Sequence, residues 1–166
     1  MKTKTKRIVM ASMLAALVCI ATIVIVVPTP FKGYINAGDG VVLLCGLLLS
    51  PAYGFFAAAV GAALADLILG YVIYAPATFV IKGLMALSLS FLFKNLKKHT
   101  SDAVSCVLGG IVSEAIMVMG YYIYEGFLYG FLASAVNIPA NMIQGAAGIL
   151  LGTILYGILS RKIKRV

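Results

Sequence analysis

Long apolar runs alternate along this chain with short polar interruptions, and the interruptions carry most of its charge. The first run, Ile8 to Val27, predicts a helix of twenty residues, about 30 Å long and able to cross a bilayer. Pro28 and Pro30 end it, because proline cannot donate to the helical ladder. The polar stretch Gly33-Tyr34-Ile35-Asn36-Ala37-Gly38-Asp39-Gly40 follows, then a short apolar run from Val41 to Leu49. Ser50-Pro51 reads as an N-cap with proline at the first helical position, opening a third helix that continues to about Gly70. Pro76 opens a fourth that ends near Phe93, and Ser101 a fifth that ends near Tyr124. A loop region from Glu125 to about Asn137 precedes a sixth helix, which ends near Ser160. No solenoid-period repeat and no low-complexity linker interrupts this order.

Composition turns these helices into membrane spans. The 166 residues are 63% hydrophobic and only 11% charged, with a mean hydropathy of +1.09. A soluble domain is roughly half apolar and a quarter charged. The expected class is therefore an all-α, polytopic membrane bundle, one domain over residues 1–166 with no soluble appendage. A net charge of +8 would suit nucleic acid, but its distribution argues against that partner. Lys2, Lys4, Lys6 and Arg7 precede the first run, Lys94, Lys97 and Lys98 share one loop, and Arg161, Lys162, Lys164 and Arg165 close the chain. Such clusters at helix ends face the cytoplasm and meet anionic lipid, at roughly 1 kcal/mol per residue. A basic start before an apolar run also resembles a signal peptide. The run is long for that and lacks a small-x-small cleavage site, so it reads as a retained span.

Charge parity sets the expected number of crossings. An even number must separate each pair of basic clusters, so the short Val41–Leu49 run has to cross as well. It would do so as a helix beginning near Ala37, in a thin or protein-covered place. The expectation is a six-transmembrane-helix bundle with both termini cytoplasmic. The loops holding Tyr34 to Asp39, Tyr71 to Ala75 and Glu125 to Val136 then lie outside, with seven of nine tyrosines. A belt of interfacial aromatics would populate both faces, so the one-sided crowd favours an aromatic-lined external pocket.

Several polar residues could furnish that pocket. Lys82 lies six residues beyond Pro76, about 9 Å into the membrane, and needs a partner or a function at that depth. Asp66 and Glu114, about 6 and 15 Å deep, are its candidate counter-ions, and a structural pair and a ligand contact are compatible. Asn137, Asn141 and Gln144 fall at i, i+4 and i+7 on one helix face, where amides could read a heterocycle or bond a neighbouring helix. Taken alone, Gly33 to Gly40 reads as an ordinary turn with Asp39 capping the next helix. With the tyrosines around it, the stretch becomes a glycine-hinged pocket wall presenting Tyr34 and Asn36. Small-residue faces, Ala11 and Ala15, Ala57 with Gly61 and Ala65, and Gly148 with Gly152, suit close helix packing, and one of them could dock another protein.

Other chemistry is poorly represented. Cys19, Cys45 and Cys106 lie within apolar runs without metal-ligand spacing, so neither a disulfide framework nor a metal site is expected. The chain has no GxxxxGKS/T phosphate loop, HExxH or GxSxG, and His99 falls in a basic loop. No enzyme and no cofactor are expected. The alternative left open is a stand-alone proton-coupled secondary transporter or channel using Lys82 with Asp66 or Glu114.

Three segments also carry a resemblance. Tyr34-Ile35-Asn36-Ala37-Gly38-Asp39-Gly40 resembles the YINLGD signature of substrate-binding S components of energy-coupling-factor (ECF) vitamin transporters, with Ala37 where leucine is commoner. Residues Tyr74 to Gly83 look like the family's YAPATFIIKG segment, and Asn137 to Gly145 is similar to its xIPxNxxQG segment. All three keep the family's order. The resemblance implies a vitamin-capturing subunit of a cell membrane, of bacterial type, working with a transmembrane coupling protein and two ATP-hydrolysing subunits. Ala11-Ser12-Met13-Leu14-Ala15 matches the AxxxA face by which such proteins dock the coupling protein. It points to the branch with pyridoxine, hydroxymethylpyrimidine and riboflavin carriers. Together with the depth and helix-face readings above, it gives as substrate-binding candidates Tyr34, Asn36, Asp39, Tyr74, Lys82, Glu114, Asn137, Asn141 and Gln144.

Overall fold

The computed structural model describes residues 2–29 and 33–160. Pro30, the side chain of Lys2 and the basic cluster Arg161, Lys162, Lys164 and Arg165 lie outside the described residues. The order of elements is α1 (Lys2–Val24), β1 (Val26–Pro28), β2 (Tyr34–Asn36), α2 (Asp39–Leu48), α3 (Pro51–Leu69), α4 (Ala75–Leu96), α5 (Asp102–Tyr129), α6 (Phe131–Ala135) and α7 (Ile138–Leu159). Five of these helices, α1, α3, α4, α5 and α7, are long and apolar enough to cross a membrane. Large apolar side chains such as Met13, Ile68, Leu132, Ile143 and Leu150 point outward, as a lipid solvent requires. The chain is a multi-pass membrane protein.

The short helix α2 forms the centre. All ten of its residues are buried, with α1, α3, α4 and α7 packed around it. A helix that is apolar on every side is stable only in such a position. Glycines let its neighbours close in. A Cβ added at Gly46 would lie 2.5 Å from the Ala86 carbonyl of α4, and one at Gly152 of α7 would lie 3.1 Å from Leu43. Val18, Met85, Leu89 and Met117 complete the core around it.

The ends of the bundle differ in chemistry. At one end lie the β1–β2 hairpin, the turn between α3 and α4, and the α5–α7 connection. They are tied together by Tyr34 donating to Asp66 and Tyr124 to the Ile73 carbonyl. At the other lie the N-terminal basic residues and the loop with Lys97 and Lys98, where Phe93 and Tyr156 pack with ring centroids 5.2 Å apart.

Three boundaries depart from expectation. The chain is not wholly α-helical. Helix α1 stops at Val24, and Val26, Val27 and Pro28 pair antiparallel with Asn36, Ile35 and Tyr34. The β-branched run Ile23 to Val27 favours extended backbone, and the residue before a proline disfavours helix. Helix α5 runs on to Tyr129, so Glu125, expected in a loop, is helical; the break comes at Gly130, where φ is +93°. Finally, Asp39 does not cap α2. The N-cap is Gly38, with no side-chain bond, and Asp39 is the first helical residue.

The glycine contacts give a prediction of opposite signs. A methyl at Gly61 would strike the Ala15 carbonyl of α1, whereas one at Gly157 meets nothing within 4 Å. Ala is the better helix former by about 1 kcal/mol. Gly157→Ala should therefore hold or raise the thermal midpoint in detergent, and Gly61→Ala should lower it by the equivalent of about 1–3 kcal/mol. Equal shifts would mean that α1 and α3 are not held this closely.

Candidate functional site

The polar residues of the hairpin end converge because three elements reach the same depth. Lys82 lies seven residues into α4, about 10 Å below the helix start. It forms a buried ion pair with Asp39 at the start of α2. The hairpin has thus carried the chain down to that level before α2 begins. Asp39 uses each oxygen once: Oδ1 accepts from Lys82, and Oδ2 accepts from the Gln144 amide of α7 at 2.5 Å. The carbonyl oxygen of Gln144 in turn accepts from the backbone N–H of Asn36 in β2 at 2.7 Å. These partners fix the amide's orientation, since an N–H can only donate and a carboxylate only accept. Asn36 Oδ1 accepts from the Gly38 N–H at 2.8 Å, shaping the turn into α2.

Above this floor a cavity of about 30 Å³ is enclosed, room for roughly one water. Tyr34, Asn36, Tyr74, Lys82, Asn141 and Gln144 line it, together with Thr22, Thr29, Gly33, Ala62, Asp66, Thr78, Tyr121 and Glu125. Tyr34 donates to Asp66 Oδ1, and its ring lies 4.6 Å from that of Tyr71. Tyr74 donates to Glu125 Oε1 at 3.3 Å, and Asn137 to Glu125 Oε2 at 2.9 Å. Thr78 and Tyr121 share a hydrogen bond of 2.9 Å, and the Lys82 ammonium stands 5.5 Å from the Tyr121 ring centre. Burial, with Asp66 beside it, raises the pKa of the Tyr34 hydroxyl, and burial with Glu125 does the same for Tyr74. Both hydroxyls stay donors.

Six of the nine expected residues line the cavity, and three stand behind it. Asp39 is under the floor, holding Lys82 and Gln144. Asn137 backs Glu125. Glu114 faces elsewhere, with its carboxyl against Gly145 and Gly148. It borders a separate apolar recess of about 390 Å³ between α5 and α7, with Val118, Met142 and Ile149. The expected counter-ions of Lys82, Asp66 and Glu114, are both displaced by Asp39. Depth along one helix could not reveal this, because the starting depth of α2 depends on the hairpin. Sequence reasoning also missed Glu125 and Thr78. Their signal was present: Thr78 precedes Lys82 by four residues and shares its face, and no breaker separates Glu125 from Tyr124.

The expected docking residues lie on α1, outside the pocket. Ala11 and Ala15 are half-buried against the core, with Ser12 and Ala16 exposed beside them. Cys45 and Cys106 are buried free thiols and Cys19 is half-buried.

With this geometry in hand, relatives can be compared. The family described as ECF-type riboflavin transporter, S component, matches residues 2–161. The chain belongs to that family. A curated relative, an uncharacterized protein in a gap 3' region of Pyrococcus woesei, is 35% identical over 147 residues, covering 88% of this chain and 96% of its own. Among solved structures, the S component of a bacterial ECF transporter superposes with a TM-score of 0.72 at 24% identity, over 98% of this chain and 99% of that one. FolT bound with folic acid gives 0.73 at 19% identity, over 98% and 96%. The S component for biotin gives 0.60 at 20% identity, over 94% and 93%. At these identities the likeness to solved structures is one of fold. This S component is the substrate-binding subunit of a vitamin transporter, and it is not an enzyme.

Breaking the floor has a calculable sign. Lys82→Met or Asp39→Asn alone leaves a buried group uncompensated and should destabilise the ligand-free protein by about 3–5 kcal/mol. The double variant should lose much less than the sum, as measured by a double-mutant cycle of detergent unfolding. Additive losses would mean that the pair is not formed.

Proposed function

We propose that this S component captures a small heterocyclic vitamin or precursor from outside the cell, pyridoxine or hydroxymethylpyrimidine in preference to riboflavin. The observation that carries this reading is the polar-lined cavity, walled by tyrosines and amides at the end of the bundle opposite the N-terminal basic residues and the Lys97–Lys98 loop. Tyr34, Asn36, Asp39, Tyr74, Lys82, Glu114, Asn137, Asn141 and Gln144 were the expected binding set; here Asp39 and Asn137 hold contact residues in place, and Glu114 supports α7 from behind. Compact amides and rings suit a flat polar heterocycle.

In this reading the whole chain is one domain with six crossings and cytoplasmic termini, α2 being the short one. Starting about 10 Å down, its ten residues rise about 15 Å and so approach the far side. A cavity of about 30 Å³ cannot hold a vitamin, which needs roughly 300 Å³ or more, so capture requires the hairpin to lift. The bond from Asn36 to Gln144 is the contact that a ligand amide or ring nitrogen would replace on the way in. The chain carries no phosphate-binding loop of its own, and membership of the ECF family supports a transmembrane coupling protein and two ATPase subunits as the source of energy for release.

Two measurements test this. Purified protein should gain thermal stability with one of a panel of vitamins, about 2.7 kcal/mol at a concentration one hundred times Kd. Absence of any shift at millimolar ligand would sink vitamin capture. Bulky replacements at Ala11 and Ala15 should abolish co-purification with the coupling protein yet leave that shift intact. If binding and assembly disappear together, the face is internal packing. Uptake by the protein alone under a proton gradient would instead make it a secondary transporter.

A further inference from the structure

Charge and hydrogen-bonding capacity do not balance around the cavity. Among the described residues, four carboxyls are buried, Asp39, Asp66, Glu114 and Glu125, against one amine, Lys82. Lys82 is committed to Asp39. Glu114 faces the recess between α5 and α7. Asp66 and Glu125 are left lining the cavity, with no ion-pair partner among the described residues. Asp66 is 2% exposed and Glu125 is 3% exposed, so water does little to solvate either.

The unsatisfied atoms have one sense. Asp66 Oδ2, Asn137 Oδ1 and Thr29 Oγ1 are buried without a hydrogen-bond partner. All three can accept; the amide oxygen and an ionised carboxylate can only accept, whereas the Thr29 hydroxyl can also donate. Of the neighbouring donors, Tyr34 is engaged on Asp66, Tyr74 and Asn137 on Glu125, and Gln144 on Asp39, while the Asn141 amide and the Thr29 hydroxyl remain for acceptors of a ligand. Tyr34, Tyr74 and Tyr121 add aromatic faces, which attract cations. A neutral ligand would leave both carboxyls without a counter-charge. One carrying positive charge and N–H groups would satisfy both deficits.

We infer that the pocket is built for a cationic ligand, a small nitrogen heterocycle whose ammonium group donates to Asp66 Oδ2 and lies between Asp66 and Glu125. This rests on the vitamin-capture reading and narrows its substrate class. It ranks aminomethyl-substituted rings above their hydroxymethyl counterparts, and both above a large neutral tricycle such as the riboflavin ring.

Matched pairs test it by isothermal titration calorimetry on the full chain in detergent. The probes are pyridoxamine against pyridoxine, and the aminomethyl against the hydroxymethyl form of the same aminopyrimidine. Within at least one pair the aminomethyl member should bind about tenfold tighter or more, because its bond to carboxylate is charge-assisted. Asp66→Asn, which still accepts from Tyr34, should shrink that ratio to about threefold or less while retaining the hydroxymethyl member. Glu125→Gln provides the same readout should Asp66→Asn fail to give monodisperse protein. Equal or tighter binding of the hydroxymethyl member in both pairs overturns the cationic assignment and leaves vitamin capture standing. No binding by either pair while riboflavin binds does the same, and no binding of any vitamin overturns both.

Discussion

The ion pair between Lys82 and Asp39 sets the architecture of the pocket. Two charges taken out of water are costly unless every remaining lone pair and proton is also used. Here each oxygen of Asp39 has its own donor, one from Lys82 on α4 and one from Gln144 on α7. Because α2 starts at Asp39, the pair fixes where the central helix begins. Because Gln144 also accepts from the Asn36 N–H, the same group seats the hairpin. Three helices and the pocket wall are therefore aligned by one carboxylate. The glycines of α7 make this possible: a Cβ at Gly148 would fall 2.9 Å from the Asp39 Cβ, so any larger residue would push the helices apart.

The helical framework was legible because a membrane leaves few options for backbone polar groups. Runs such as Ala75–Leu96 and Ile138–Leu159 announce themselves by length and composition, and Pro51, Pro76 and Pro139 stand at the first turns of their helices. The i, i+4, i+7 amides also reached one side as expected: Asn141 and Gln144 line the cavity, with Asn137 just behind. What could not be read was the third dimension between elements. The β-branched segment Ile23 to Val27 looks alike as lipid-facing helix or as strand, and only its pairing with Tyr34 to Asn36 decides. That pairing lowers Asp39 to the level of Lys82. By the same step Asp66 is not the contact partner of Lys82, and it accepts from Tyr34 instead.

Buried polarity divides into two kinds in this molecule. In the Asp39–Lys82–Gln144 column the charged atoms are satisfied, which makes the floor rigid and specific. Around Asp66, Asn137 and Thr29, acceptor atoms are left unmatched. An unmatched acceptor lowers stability, by about 1–3 kcal/mol each, and is tolerated where another molecule supplies the missing donor. The floor and the rim thus differ in what they contribute: the first holds the fold, and the second leaves acceptor atoms facing the cavity.

Helix α1 links the pocket to the opposite half of the bundle. Thr22 lines the cavity, and the hairpin follows directly after Val24. Ala15 lies seven residues earlier, about 10 Å lower, with its carbonyl against Gly61 of α3. A continuous helix cannot bend sharply between these points without proline or a lost hydrogen bond, and neither occurs between Ala11 and Val24. If the hairpin lifts as proposed, it would pull on a stiff rod whose lower part is the proposed docking face. The tight contact at Gly61 restrains sliding along α3 but leaves Ser12 and Ala16 exposed to a partner. In the proposed reading, ligand entry and partner contact would act on the same element, a physical route by which one could influence the other.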